Sequence, residues 1–71
     1  MSGMGKKTHI QVARTKVGLT QHEVAALIER SQSVYHRYET GAIVVPHAVA
    51  PKLAKLLRIP VMRVLYPAID P

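Results

Sequence analysis

GLTQHEVAALIERSQSVYHRYETG, residues 18–41, is the stretch whose reading decides the fold. It divides into two short helices, residues 21–28 and 32–40, joined by a tight turn. Thr20 and Glu23 stand at the spacing of a capping box, in which the threonine hydroxyl accepts a backbone N–H and the glutamate reaches back to the cap. Leu19 precedes the cap and Val24 follows it at the spacing of a hydrophobic staple, which fixes the angle at which the chain enters the helix. Val24, Ala25 and Ile28 share one face and predict a buried stripe, with the small Ala25 where a second helix can approach. Ser31 is a good N-cap for the second helix, and Gly41 can take the left-handed conformation that ends it.

The flanking segments support that pair. Ile10, Ala13 and Val17 give a helical pattern over residues 8–17, with Thr8 able to cap it. Past Gly41, the run Ala42, Ile43, Val44, Val45 has strand-like composition but no second strand pattern to pair with, so it reads as a loop whose apolar residues fold back on the core. Pro46 and Pro51 bracket a single turn, and a helix then starts near Ala50 with Pro51 in its first position. Leu53, Ala54, Leu56 and Leu57 form its buried face, opposite Lys52, Lys55 and Arg58. Pro60 opens a last short helix, residues 61–66, with Val61, Val64 and Leu65 turned inward. Residues 1–5 read as an expression-tag remnant or a flexible native tail, residues 6–67 as one domain, and residues 68–71 as a C-terminal tail.

With 71 residues, the chain supports one small domain, and a hydrophobic fraction of 48% supplies a core without Trp, Phe or Cys. Disulfides and thiolate zinc sites are excluded. Ten Lys and Arg against four acids give a formal charge of +6, which points to a polyanionic partner or to a solvated basic surface. Lys6 and Lys7 are either phosphate contacts or a basic lead-in. No apolar run approaches a membrane span and the N-terminal stretch lacks a signal-peptide core, so a cytoplasmic location is expected. His9, His22, His36 and His47 are scattered without metal-ligand spacing, the four acids are isolated, and no glycine-rich phosphate loop occurs. Neither an enzyme nor a metal, cofactor or small-molecule ligand is expected.

Short helices around a capped, tightly turned pair form the helix-turn-helix pattern. The sequence resembles the Cro and repressor class of phage and bacterial regulators, the lambda-repressor-like or XRE family. The resemblance covers roughly residues 10–65 and rests on Arg14, Gly18, Leu19, Thr20, Gln21, Glu23, Val24, Ala25, Ser31, Tyr38, Glu39 and Gly41, with Pro46, Leu53 and Ala54 downstream. It implies an all-α, compact five-helix domain that binds double-stranded DNA and acts as a Cro-like repressor. Two positions depart from the pattern: Glu29 stands where glycine is usual, and Arg30 where an aliphatic residue is. A positive φ at Glu29 would cost on the order of 1 kcal/mol. Arg30 either lifts its guanidinium towards a phosphate or is exposed because the turn is built differently.

In such a motif the second helix enters the major groove. Gln32, Ser33 and Arg37 fall on its projecting face, with Tyr35 and Tyr38 packed behind. Gln can bond adenine and Arg guanine in bidentate fashion, so Gln32 and Arg37 are the leading base readers; Val34 is placed against a thymine methyl. Gln21, His36, Arg30, Thr40 and Ile43 are the candidate backbone contacts. At Ala42 and Ile43 only main-chain amides could serve. The resemblance further implies that Gln21 braces Gln32 and that Arg14 and Glu39 form a structural ion pair. A homodimer on a palindromic operator is expected, stable or formed only on DNA, through Ile59, Pro60, Met62, Arg63 and Tyr66. The alternatives are an antitoxin or restriction-modification controller of the same fold, and a protein-interaction module that no longer reads bases.

Overall fold

The computed structural model describes residues 7–69, so the expectations for residues 1–5, for Lys6 and for the last two residues lie outside the described residues. Five helices follow one another: α1 (His9–Val17), α2 (Gln21–Leu27), α3 (Gln32–Thr40), α4 (Ala50–Leu57) and α5 (Val61–Leu65). No strand is present among the described residues, and the fold is all-α. None of the described helices is long and apolar enough to cross a membrane.

Local chemistry sets the starts of the first three helices. Thr8 accepts the N–H of Gln11, and Ser31 accepts that of Val34. Thr20 and Glu23 form the reciprocal capping box, with Thr20 N–H donating to Glu23 Oε1 at 2.8 Å and Glu23 N–H to the Thr20 hydroxyl at 3.1 Å. The backbone bond lowers the pKa of the Glu23 carboxyl. In α4 a proline in the first turn replaces a side-chain cap, since it lacks the N–H that would need one.

Helices α1 to α4 all end in the same way. A left-handed residue follows directly after α1, α3 and α4, and after the intervening Ile28 at α2; its N–H bonds a carbonyl three residues back, and the next N–H bonds the carbonyl five residues back, a Schellman motif. Gly18 and Gly41 supply the left-handed residue after α1 and α3, with φ of 82° and 83°. Glu29 and Arg58 supply it after α2 and α4, both at φ 59°. Arg30 N–H thus reaches the Ala25 carbonyl at 2.9 Å, and Ile59 N–H the Ala54 carbonyl at 3.1 Å. The turn inside the helix pair therefore keeps the glycine-type geometry without a glycine, and Arg30 is exposed.

The core takes Ile10 and Ala13 from α1, Val24 and Ala25 from α2 with the adjoining Ile28, Tyr35 and Tyr38 from α3, Leu53, Ala54 and Leu57 from α4, and Val64 from α5. Two apolar expectations fail. Of the run after Gly41 only Val45 folds back, while Ile43 and Val44 are 40% and 72% exposed, because the cap of α3 holds that end of the loop on the surface. Val61 is 39% exposed, since it sits in the first turn of a five-residue helix that offers only Val64 fully to the core. The two ends of the described segment meet: His9 N–H donates to the Pro67 carbonyl at 2.7 Å, and Thr8 bridges to Ala68, the first residue of the expected tail.

At Gly18 and Gly41 an added Cβ would meet nothing within 4 Å, so any cost of a side chain is torsional. Gly41→Ala should therefore cost about 1 kcal/mol, and Glu29→Gly or Arg58→Gly should gain up to about 1 kcal/mol, the relieved strain being partly offset by greater freedom of the unfolded chain. Urea denaturation of the four chains tests this, and equal midpoints would contradict it.

Candidate nucleic-acid interface

The helix pair α2 and α3 is held by one carboxylate. Glu39 is 2% exposed, yet both its oxygens are satisfied. Arg14 donates through Nε to Oε2 at 2.6 Å and through Nη2 to Oε1 at 3.2 Å. The Tyr35 hydroxyl donates to Oε2 at 2.7 Å, and Gln21 Nε2 donates to Oε1 at 2.8 Å. The remaining Arg14 nitrogen, Nη1, bonds the Leu19 carbonyl at 2.8 Å, and the Thr8 hydroxyl bonds the main-chain carbonyl of Glu39. One acid thus ties α1, α2 and α3 together.

The titration follows from that surrounding. Burial pushes the Glu39 carboxyl up, but hydrogen bonds from Arg14, Gln21 and Tyr35 outweigh it and hold the group below the usual glutamate range. The Arg14 guanidinium is raised in turn by its bond to Glu39. Burial, and then donation to Glu39, push the Tyr35 phenol well above its ordinary value.

With its inner face fixed, α3 presents Gln32, Ser33, His36, Arg37 and Thr40 as one exposed stripe at helical spacing. Gln32, Ser33 and Arg37 lie on it as read from the sequence. Val34 is half-buried and packs against the core instead. Tyr35 and Tyr38 are both in the core.

Gln21 does not reach Gln32. Its Nε2 donates to Glu39 and, at 3.2 Å, to His36 Nδ1, so both amide hydrogens are used and only a carbonyl oxygen remains on the side chain. That oxygen is an acceptor and cannot bond a phosphate. A phosphate contact at Gln21 must come from its main chain. An amide nitrogen can only donate, so in this contact His36 Nδ1 is the acceptor.

The main-chain amides of the loop differ from expectation as well. Ala42 and Ile43 N–H both donate to the Arg37 carbonyl, at 2.9 and 3.4 Å, as part of the α3 cap. They are not free for phosphate, and Ile43 presents only its side chain. Thr40 hydroxyl also bonds the Arg37 carbonyl, at 3.3 Å, and Arg30 Nη1 bonds the Glu29 carbonyl at 3.1 Å. Both remain exposed. Among the described residues no group of three or more His, Cys, Asp or Glu is placed to hold a metal ion.

Two helices locked at a fixed angle, the second offering a polar stripe to solvent, define a helix-turn-helix protein. The family model for the helix-turn-helix domain matches residues 8–64, and the chain belongs to that family. No curated protein matches the chain.

Because folding lowers the Glu39 pKa, the ionised carboxylate contributes stability that is fully present above the ordinary glutamate value of about 4.3 and is lost as pH falls through the lower folded value. Wild-type stability should hold from neutrality to about pH 5 and fall below it, while Glu39→Gln should be less stable at neutrality and show a flatter acid limb. Arg14→Met, which leaves Glu39 uncompensated, should cost about 3 to 5 kcal/mol. Denaturation curves from pH 3 to 7 check all three chains, and parallel acid limbs for wild type and Glu39→Gln would refute the assignment.

Proposed function

We propose that this helix-turn-helix protein is a sequence-specific transcriptional regulator of double-stranded DNA, working as a Cro-like repressor at a palindromic operator. The observation that carries the reading is the stripe of Gln32, Ser33, His36, Arg37 and Thr40, exposed on a helix whose back is fixed by Glu39. Gln32 and Arg37 read base edges, Arg37 suited to guanine and Gln32 to adenine, each contributing about 1 to 3 kcal/mol of discrimination. Ser33 reads beside them, and Val34 offers a methyl contact only at its exposed edge. His36, exposed on the stripe, joins Arg30, Thr40 and the Gln21 main chain in holding the phosphate backbone.

One short helix selects poorly among genomic sites, so the reading includes a homodimer. Met62 and Tyr66, 63% and 70% exposed and one turn apart at the end of the chain, support a contact centred on them. Ile59, Pro60 and Arg63, grouped with them by sequence, face a neighbouring groove instead. Such a dimer reads half-sites about 34 to 36 Å apart along the duplex. Repression then follows from occupancy of the operator.

Selection from random duplex DNA should return a palindrome, with affinity falling steeply between about 50 and 200 mM salt as phosphate contacts release counterions. Gln32→Ala should relax preference at one base pair per half-site and leave the thermal midpoint nearly unchanged. Met62→Ser with Tyr66→Ser should weaken binding to the full palindrome more than to a half-site. Equal binding of selected and random duplexes, with little salt dependence, would instead indicate a protein-interaction module.

A further inference from the structure

The charge excess is not all on the side of the reading helix. Arg14 is paired with Glu39, Lys52 lies 3.9 Å from Glu29, and Arg30 and Arg37 belong to the DNA-facing side. Lys16, Arg58 and Arg63 converge elsewhere, joined by His9, around a groove of about 560 Å³ between α1 and the turn that links α4 to α5. Between the cations the floor includes the apolar side chains of Val12, Val17, Ile59 and the nearly buried Leu57, and no acidic residue lines it. Val12 is 42% exposed there although it sits in the middle of a helix.

The groove faces away from α3. At about 100° per residue, Val12 and Lys16 lie on the side of α1 roughly opposite Arg14, which is two positions from each. Arg14 points to Glu39 on α3. A duplex lying on the reading stripe therefore leaves the groove open.

We propose that this groove docks a segment of a partner protein that carries acidic residues on either side of a large apolar side chain. The cations supply the attraction for the acids, and the floor supplies a desolvated seat for the apolar group, the combination used by grooves that take amphipathic peptides. A second copy of the chain is disfavoured, because each copy would bring the same cations to the contact. The phosphate backbone is disfavoured because protein–DNA contacts are polar and hydrated, and an apolar floor offers phosphate nothing.

The test is a selection of displayed random peptides on the whole chain. Sequences with Asp or Glu flanking Leu, Ile or Phe are expected to be enriched. A fluorescent peptide made from the consensus should lose about tenfold or more in affinity with the doubly substituted chain Lys16→Glu, Arg58→Gly, and likewise with Val12→Glu. Arg58→Gly removes a left-handed arginine and offsets the cost of an acid at the end of α1, and an unchanged thermal midpoint of the doubly substituted chain separates a binding loss from unfolding. The same peptide should bind alongside duplex DNA and shift amide resonances at Val12, Lys16 and Leu57. Selected peptides without an acidic excess, equal affinity for the substituted chain, or displacement of the peptide by duplex would each overturn the proposal. The peptide selection and the affinity losses are read without DNA, so they do not depend on whether the DNA-reading assignment holds.

Discussion

The fold depends on an ion held in its interior. A carboxylate 2% exposed is tolerable only when its hydrogen-bonding capacity is filled, and Glu39 fills it from three directions: two bonds from Arg14 on α1, one from Gln21 on α2, one from Tyr35 on its own helix. The consequence is geometric as much as energetic. An apolar contact between α1 and α3 would hold them together over a range of angles, whereas a bidentate guanidinium pair fixes orientation. Because Gln21 is the first residue of α2, the bond it makes also sets the start of one helix of the pair against the end of the other. The exposed stripe of α3 can be a fixed template because its opposite face is bonded in this way.

The same network reaches the surface through one more bond. The Gln21 amide that serves Glu39 also donates to His36 Nδ1, so an exposed ring on the polar stripe is tied to a chain of bonds that begins in the core. Losing Glu39 or Arg14 would therefore disturb both the angle of α3 and the orientation of the His36 ring. Stability and presentation of the polar stripe are linked by construction.

How much of this was legible in the sequence follows from the range of each interaction. The capping box, the staple and the buried stripe of α2 are set by residues within one or two turns, and pattern alone located them. Gly18 and Gly41 announced the ends of α1 and α3. Glu29 could be flagged only by comparison with glycine at that place in a known pattern, and Arg58 gave no signal, because an arginine after a helix is ordinary until its φ is seen to be 59°. The partner of Gln21 was misread since Gln32 and Glu39 are both within plausible reach of a long side chain, and only the packed geometry decides between them. The amides of Ala42 and Ile43 looked available because hydrogen bonds that close a helix end leave no trace in side-chain chemistry.

Net charge is the feature in which sequence and structure differ most usefully. A total of +6 says that a polyanion is attractive, but not where. In the folded chain one arginine is used internally at Glu39, Arg30 and Arg37 are exposed, Arg37 on the polar stripe of α3, and Lys16, Arg58 and Arg63 gather around a groove that includes Val12 on the far side of α1. On the proposed reading, phosphate attraction accounts for Arg30 and Arg37. It does not account for Lys16, Arg58 and Arg63, where the cations surround carbon. A surface selected only for DNA would gain nothing by leaving Val12 open between them, whereas a surface that receives an acidic, apolar segment needs both the charge and the floor.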